Sequence, residues 1–284
     1  MSQAGKEAKT RACIIGWPVA HSRSPLIHGY WLEKYRIDGS YVKLPVRPDD
    51  VVSFLRGMRA EGLVGCNVTI PYKETAYAAA IDKTPAARAV AAANTLWFEG
   101  DKLVADNTDG IGFMSDLRAS SPGFDARSGA VAVLGAGGAA RAIVHAFLEA
   151  GTPEVRVFNR TRTRADAIAA HFGVRVKPHD WRERIDRSRE TSVLVNATSL
   201  GMGGGAPLDM PLLHLDAGCI VADLVYVPLL TPLLAAAHER GLAAVDGLGM
   251  LLHQAVPGFE QWFGARPEVT AELRALLVAD IEAS

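Results

Sequence analysis

A glycine-rich turn between a short apolar run and an alanine-rich segment constrains this 284-residue chain more than any other feature. The run Ala130 to Leu134 is bounded by Gly129 and Gly135 and reads as a buried parallel strand. Gly135, Gly137 and Ala140 then fill the pattern G-x-G-x-x-G/A. The first permits a tight turn, the second lets the backbone approach a pyrophosphate, and the third lets the new helix pack close to the strand. The pattern predicts a helix through Ala142, Val144, Ala146 and Leu148 that stops near Gly151, then a strand over Glu154 to Phe158. Such a βαβ unit holds a dinucleotide at the helix N-terminus.

The end of that second strand selects the dinucleotide. A carboxylate about 20 residues past the glycines binds the ribose hydroxyls of NAD. Here the position holds Asn159, followed by Arg160, Thr161 and Arg164. Guanidinium groups bind a 2′-phosphate with charge-assisted hydrogen bonds, whereas a carboxylate repels it. Arg160 and Arg164 are four apart and are expected on one helix face, with Thr161 capping the helix or meeting the phosphate. The expected cofactor is NADP(H); the plainer alternative is a solvated basic helix start.

More than 100 residues precede this unit, so two α/β domains are expected: a substrate domain over 1–109 plus 247–284 and a Rossmann-type domain over 110–246. The last helices return to the first domain, and the crossings near Asp109 and Asp246 suggest a swinging cleft. A formal net charge of −1 argues against a nucleic-acid or anionic-membrane surface. Cys13, Cys66 and Cys219 sit in apolar runs without metal-ligand spacing and read as reduced thiols of a cytoplasmic protein. No histidine pair has zincin spacing, so no metal is expected. The first ten residues lack an apolar core and read as a tail, not a signal peptide. The most apolar stretch, Cys219 to Ala237, is broken by Asp223, Pro228 and Pro232 and does not read as a membrane span.

Strands are expected at Arg11–Ile15, Ser40–Val46 and Gly62–Ile70, and a hairpin at Asn94–Phe98 with Lys102–Ala105. Helices are expected from Ser24 as N-cap, from Asp49 or Asp50, from Pro71, over Thr84–Ala93, over Gly110–Leu117 and over Pro267–Ile281. In the second domain, further strands are expected at Val174–Val176, Ser192–Asn196, Cys219–Asp223 and Ala243–Val245. Ser22 and Ser24 stand before a helix N-terminus, a natural carboxylate site, unless Ser24 only caps and Ser22 is solvated. Asn67 and Thr69 share one side of a strand at its carboxyl end, with Lys73 just beyond. A lysine in a first helical turn opposes the dipole, which suggests a task, although a solvated lysine is commoner. Asp109 closes the polar run Asp106 to Asp109 at the domain junction. Asn196, Thr198, Ser199 and Tyr226 lie past strand ends over the expected cofactor.

Together these motifs resemble the shikimate dehydrogenase family. The matching stretches are Gly16 to Pro25, Asn67 to Glu74, Ala93 to Thr95, Asp106 to Gly110, Gly135 to Arg141, Asn159 to Thr161, Asn196 to Met202, Asp223 to Leu233 and Asp246 to Ala255. They keep the family's order and run from about residue 11 to the end. The resemblance implies reversible, NADPH-dependent reduction of 3-dehydroshikimate to shikimate in aromatic amino-acid (chorismate) biosynthesis. It implies that Ser22 and Ser24 bind the substrate carboxylate, and that Asn67, Thr69, Asn94, Asp109 and Gln254 hold the ring hydroxyls. Tyr226 would approach the substrate, and Lys73 with Asp109 would form the catalytic pair. Gly135, Ala136, Gly137, Gly138, Ala139, Asn159, Arg160, Thr161, Arg164, Thr198, Gly247 and Met250 would hold the dinucleotide. Ala91 to Thr95 departs from the family's G-A-V-N-T, and Asp246 stands where Asn is common; neither touches a reacting group. Rival readings are a quinate/shikimate dehydrogenase using NAD, a non-catalytic NADP-binding regulator, and an enzyme for an amino analogue of shikimate. The small molecule is the expected partner, with the chain a monomer or homodimer.

Overall fold

A computed structural model describes residues 9–283. The tail read over the first ten residues lies outside them up to residue 8, and Thr10 already belongs to a strand. The chain divides into two compact units. One holds the residues up to Thr108 together with Ala255–Leu273; the other holds Asp109–Gln254 and the residues from Arg274 on.

The first unit alternates strands and helices: β1 (Thr10–Gly16), α1 (Ser24–Lys34), β2 (Gly39–Pro45), α2 (Val51–Gly57), β3 (Leu63–Val68), α3 (Lys73–Ala79), β4 (Asp82–Lys83), α4 (Pro85–Val90), β5 (Thr95–Glu99) and β6 (Lys102–Asp106). Its sheet has the order β2-β1-β3-β5-β6-β4. β1, β2 and β3 are parallel, while β5 runs antiparallel to both β3 and β6. Alternation sends Cys13, Ile15, Cys66, Val68 and Leu96 to one apolar layer, and Ala12, Ile14, Tyr41 and Trp97 to another, which Trp262 covers. Gly65 is small for a reason of packing. A Cβ there would lie 2.1 Å from Trp262 Nε1 and 2.3 Å from the Leu96 carbonyl, to which that indole donates at 2.9 Å.

The second unit comprises α5 (Asp109–Ser120), β7 (Ala130–Leu134), α6 (Gly138–Glu149), β8 (Val155–Asn159), α7 (Arg162–Phe172), β9 (Val176–Asp180), α8 (Arg184–Arg187), β10 (Thr191–Asn196), β11 (Ile220–Asp223), α9 (Pro232–Glu239) and β12 (Ala243–Val245). α10 (Gly247–Phe263) and α11 (Ala271–Glu282) follow, and the boundary between units falls inside each of them. The sheet order is β12-β11-β10-β7-β8-β9, all parallel. This is a doubly wound sheet whose order reverses between β7 and β10, the switch point where such sheets bind ligands. Both faces are covered, so the strands are apolar throughout: Val131, Val133, Val155 and Val193 pack with α5 and α6, while Ala132, Leu134, Phe158 and Leu194 pack with α9.

Several expected boundaries move. Ser24 is the first helical residue of α1 and Arg23 takes the cap position without capping the helix through its side chain. Pro71 lies in the turn before α3, whose cap is Tyr72, so Lys73 begins that helix. Thr84 caps α4 by accepting from Ala87 N–H, and the helix ends at Val90 because Ala91 is left-handed, at φ 55°. β9 begins where a strand over Val174–Val176 was expected to end, and α11 begins four residues after Pro267. Among the described residues no helix is long and apolar enough to cross a membrane, and no group of three acidic, His or Cys side chains is placed to hold a metal ion.

The start of α10 explains the run D-G-L-G-M. Asp246 Oδ1 accepts from Leu248 N–H at 2.9 Å and pairs with Arg274 through its other oxygen. Asp116, on α5, accepts from Met250 N–H and from Ser120 Oγ. Its carboxylate occupies the space a Cβ on Gly249 would need, at 1.9 Å. Burial, then the charge of Asp246, raise the Asp116 pKa to about 6, against the pull of Ser120, Arg274 and Met250 N–H. A raised carboxyl pKa contributes stability in full below the unfolded value and loses it as pH rises through the folded one. Asp116→Asn is therefore expected to match the parent near pH 4 and to exceed its stability at pH 8, by about 2 kcal/mol. Urea melts at the two pH values check this; a difference independent of pH would contradict it.

Candidate active site

In the first unit the polar residues of interest gather past the carboxyl ends of β1 and β3. β1 ends at Gly16, where a Cβ would strike the Thr69 methyl at 2.4 Å, so the chain after β1 and the chain after β3 run in contact. Thr69 N–H donates to the Ile15 carbonyl and Trp17 N–H to the Ile70 carbonyl, which ties the two loops together. Thr69 lies one residue past β3, half-buried, rather than on the strand. Ser22 and Ser24 meet directly: Ser22 Oγ donates to Ser24 Oγ at 3.2 Å, and Ser24 N–H donates to Ser22 Oγ at 3.3 Å. Both hydroxyls therefore sit at the amino end of α1, where the helix dipole favours an anion. Lys43 Nζ holds the Ala20 carbonyl in the same loop at 2.5 Å.

Asn67 is buried, with both amide hydrogens and one lone pair of its oxygen engaged. Its Nδ2 donates to the Asn94 carbonyl and to Thr95 Oγ1, each at 3.1 Å, and its Oδ1 accepts from Tyr41 Oη at 2.6 Å. Asn94 is buried against Thr108: its Nδ2 donates to Thr108 Oγ1 at 3.0 Å and its Oδ1 accepts from Thr108 N–H at 2.9 Å. The polar run after β6 is thus more than a turn. Asp106 Oδ1 accepts from Asn107 N–H, and Asn107 Nδ2 donates to the Ala92 carbonyl at 3.1 Å, which fixes the segment presenting Asn94. Lys73 is half-buried at the first position of α3. Asp109 is 5% exposed and begins α5, in the second unit.

In the second unit the glycine loop takes the expected form. Gly135 has φ 110°, and a Cβ there would lie 2.9 Å from the Ala197 carbonyl, so only glycine fits the turn. Gly137 is the cap residue of α6 and Gly138 its first residue. A Cβ on either would meet nothing within 4 Å, and no side chain caps the helix. The first N–H groups of this 12-residue helix thus lack a side-chain cap, and the space beside the two glycines is open, which fits a pyrophosphate. Ala140 is fully buried in the core with Val131 and Val133.

The basic cluster differs from the expected arrangement. α7 begins at Arg162 with Thr161 at the cap position, so Arg160 lies in the bend before the helix and cannot share a helix face with Arg164. Asn159 Nδ2 holds the Thr161 carbonyl at 2.9 Å, and Thr161 makes no capping bond through its side chain. Arg162 is committed to Asp166 and Asp180. Arg160 and Arg164 are exposed, and no ion pair among the described residues engages them. Two free guanidinium groups and a hydroxyl therefore stand at the end of β8, without a carboxylate at Asn159.

Asn196 plays a different part from the one its position suggests. It is fully buried, donates to Asp223 Oδ1 at 2.9 Å and to the Leu200 carbonyl, and accepts from Thr198 Oγ1 at 2.7 Å. Asp223 also accepts from Thr231 Oγ1 and Val225 N–H, and burial raises its pKa against these bonds. Asn196 and Asp223 thus brace the loops that carry Thr198 and Tyr226 rather than facing a ligand. Tyr226 is half-buried. Gln254 is 9% exposed and donates to the Leu251 carbonyl; Gly247 and Met250 stand in the first turn of α10. Tyr41, Thr95 and Thr108 complete the polar network around Asn67 and Asn94. Thr95 and Thr108 fall inside the matched stretches Ala93 to Thr95 and Asp106 to Gly110, whereas Tyr41 carries no motif signal and is marked only by a strand position whose alternation turns it inward.

Three family models match the chain: the shikimate dehydrogenase substrate binding domain over residues 14–96, shikimate / quinate 5-dehydrogenase over 119–201, and the shikimate 5'-dehydrogenase C-terminal domain over 247–277. A curated relative from Azorhizobium caulinodans, shikimate dehydrogenase (NADP(+)), is 53% identical over 96% of this chain and 97% of its own. The structure of shikimate 5-dehydrogenase from Thermus thermophilus, in complex with NADP(H) and shikimate, covers 95% of this chain and 99% of its own at 35% identity, with a TM-score of 0.84. Quinate dehydrogenase from Corynebacterium glutamicum in complex with NAD covers 95% of this chain and 99% of its own at 26% identity, with a TM-score of 0.87.

Proposed function

The chain belongs to the shikimate dehydrogenase family, and we propose that its own side chains divide the work of that reaction as follows. The reaction is the reversible, NADPH-dependent reduction of 3-dehydroshikimate to shikimate in aromatic amino-acid biosynthesis. The end-to-end likeness to curated NADP-dependent shikimate dehydrogenases carries this reading. The substrate side is assigned to 1–109 plus 247–284 and the dinucleotide side to 110–246.

The Ser22 and Ser24 hydroxyls, paired with each other in the free protein, turn to donate to the substrate carboxylate at the amino end of α1. Asn67, Thr69, Asn94, Asp109 and Gln254 take the ring hydroxyls, and Tyr226 meets the substrate. Bound NADPH supplies the hydride to the carbonyl carbon. The Lys73 ammonium donates a proton to the oxygen as it becomes an alkoxide and stabilises the charge that develops there. Asp109 accepts from a ring hydroxyl and so orients the substrate toward Lys73. The glycine loop (Gly135 to Ala139) gives its N–H groups to the pyrophosphate, while Asn159, Arg160, Thr161 and Arg164 hold the 2′-phosphate; Thr198, Gly247 and Met250 line the rest. The buried thiols Cys13, Cys66 and Cys219 suit the reducing cytoplasm. The chain acts there as a monomer or homodimer.

The geometry at the end of β8 favours NADP over NAD, and with it shikimate over the quinate reading. Incubation with shikimate and NADP+ is expected to yield 3-dehydroshikimate and NADPH in equal amounts by mass spectrometry and absorbance. Absence of that product would overturn the reading.

A further inference from the structure

The corner of the first unit around Asn67 has a hydrogen-bond polarity of its own. The Asn67 amide has two donor hydrogens and a carbonyl oxygen with two lone pairs. Both hydrogens are spent within the protein, one on the Asn94 carbonyl and one on Thr95 Oγ1. One lone pair of Oδ1 is taken by Tyr41 Oη at 2.6 Å. A flipped amide would set Oδ1 against the Asn94 carbonyl oxygen, so that carbonyl fixes the orientation and the Tyr41 and Thr95 hydroxyls adapt to it. The Tyr41 ring is fixed by packing: it stacks on His28 with centroids 3.9 Å apart and planes at 13°, and Trp262 lies 5.8 Å away. His28 is fully buried and holds Tyr41 by its face, and the Asn67 side chain beside it pulls its pKa up against the burial.

We propose that Tyr41 is a positioning residue which, with the Asn94 carbonyl and Thr95, makes Asn67 an acceptor-only contact, so that the ligand substituent meeting Asn67 has to be a hydrogen-bond donor. The proposal rests on the assignment of Asn67 to a ring hydroxyl of the substrate. A hydroxyl satisfies the one free lone pair. A carbonyl oxygen or a fluorine would face Oδ1 with no proton between them, leaving two acceptors opposed in a buried place. The reacting position, a ketone in one direction of the reaction, is therefore not the group that meets Asn67. Asn67 grips a hydroxyl that stays a hydroxyl throughout and discriminates by proton, not by size.

The test combines ligands and variants of the full-length protein. Shikimate is compared with analogues carrying fluorine or hydrogen at each of the two non-reacting hydroxyl positions, as inhibitors or substrates. At one of these positions the fluoro analogue is expected to bind no better than the hydrogen analogue, both about tenfold or more weaker than shikimate. Tyr41→Phe keeps the ring and its stacking. It is expected to raise the shikimate KM about tenfold, to change kcat by less than about twofold, and to lessen the hydroxyl-over-fluorine preference at that position. NADP+ affinity should stay unchanged, which a general loss of fold would not allow. Asn67→Ala should remove the preference, and Tyr41→Phe should then add nothing further. Fluoro analogues that bind like shikimate at both positions would overturn the acceptor-only contact. A Tyr41→Phe variant with unchanged KM and preference, beside a weakened Asn67→Ala, would overturn the part assigned to Tyr41. An Asn67→Ala variant with unchanged KM would instead remove the assignment of Asn67 to the substrate.

Discussion

Lys73→Ala is expected to lower kcat by about 10²- to 10⁴-fold while NADP+ still binds with the affinity of the parent. The lysine opens α3, where a cation gains nothing from the helix dipole and is disfavoured by it. A ketone becomes an alcohol only if the oxygen receives a proton as the hydride arrives, and no histidine in the polar network of the first unit is suited to provide it. His28 is buried among aromatic rings, and burial holds its pKa down at about 3, opposed only in part by the neighbouring Asn67 side chain. The assigned dinucleotide contacts all belong to the second unit, so cofactor binding should survive the loss of Lys73. Lys73→Arg separates the two parts of the role. It keeps the charge but holds its proton too tightly to donate, so it should remain at least about tenfold slow. Near-normal turnover in Lys73→Ala, measured as NADPH formation at saturating shikimate, would show that another group is the acid.

The second large effect concerns the cofactor. Arg160→Ala with Arg164→Ala is expected to lower kcat/KM for NADPH by about 10²-fold and to leave the value for NADH nearly unchanged. The size follows from two charge-assisted contacts to one phosphate, reduced because both side chains are exposed and screened. The contrast between cofactors matters more than the size. A mutation that disturbed the fold would slow both reactions, whereas loss of a phosphate contact slows only the one that has the phosphate. Arg162 serves as an internal control: it is committed to Asp166 and Asp180, so its replacement should cost stability rather than cofactor preference. Equal losses with NADPH and NADH would contradict the assignment.

Much of the doubly wound unit was legible because its cues are local. The apolar run at β7, the glycines after it and the small residue at 140 sit within eleven positions and answer to one backbone geometry. The missing carboxylate at Asn159 was equally readable. The helix face shared by Arg160 and Arg164 was not, because it depended on where α7 begins, and cap placement is decided by a turn of one or two residues. Lys73 was placed one turn beyond its strand, but Pro71, expected to open the helix, stays in the turn ahead of it. The parts that escaped prediction altogether are contacts between distant segments. Tyr41 reaches Asn67, Asp116 fills the space Gly249 leaves, and Thr108 satisfies Asn94. Each is an ordinary residue in its own neighbourhood, and only the topology of the sheet shows what it serves.

The chemistry itself is tested most directly by initial rates on the four pairings of shikimate or quinate with NADP+ or NAD+, under one set of conditions. Shikimate with NADP+ is expected to give the highest kcat/KM, by about tenfold or more over the same substrate with NAD+. Both quinate reactions should be slower still. A preference for quinate with NAD+ would contradict both the phosphate contacts assigned to Arg160 and Arg164 and the substrate assigned to Ser22, Ser24 and Lys73.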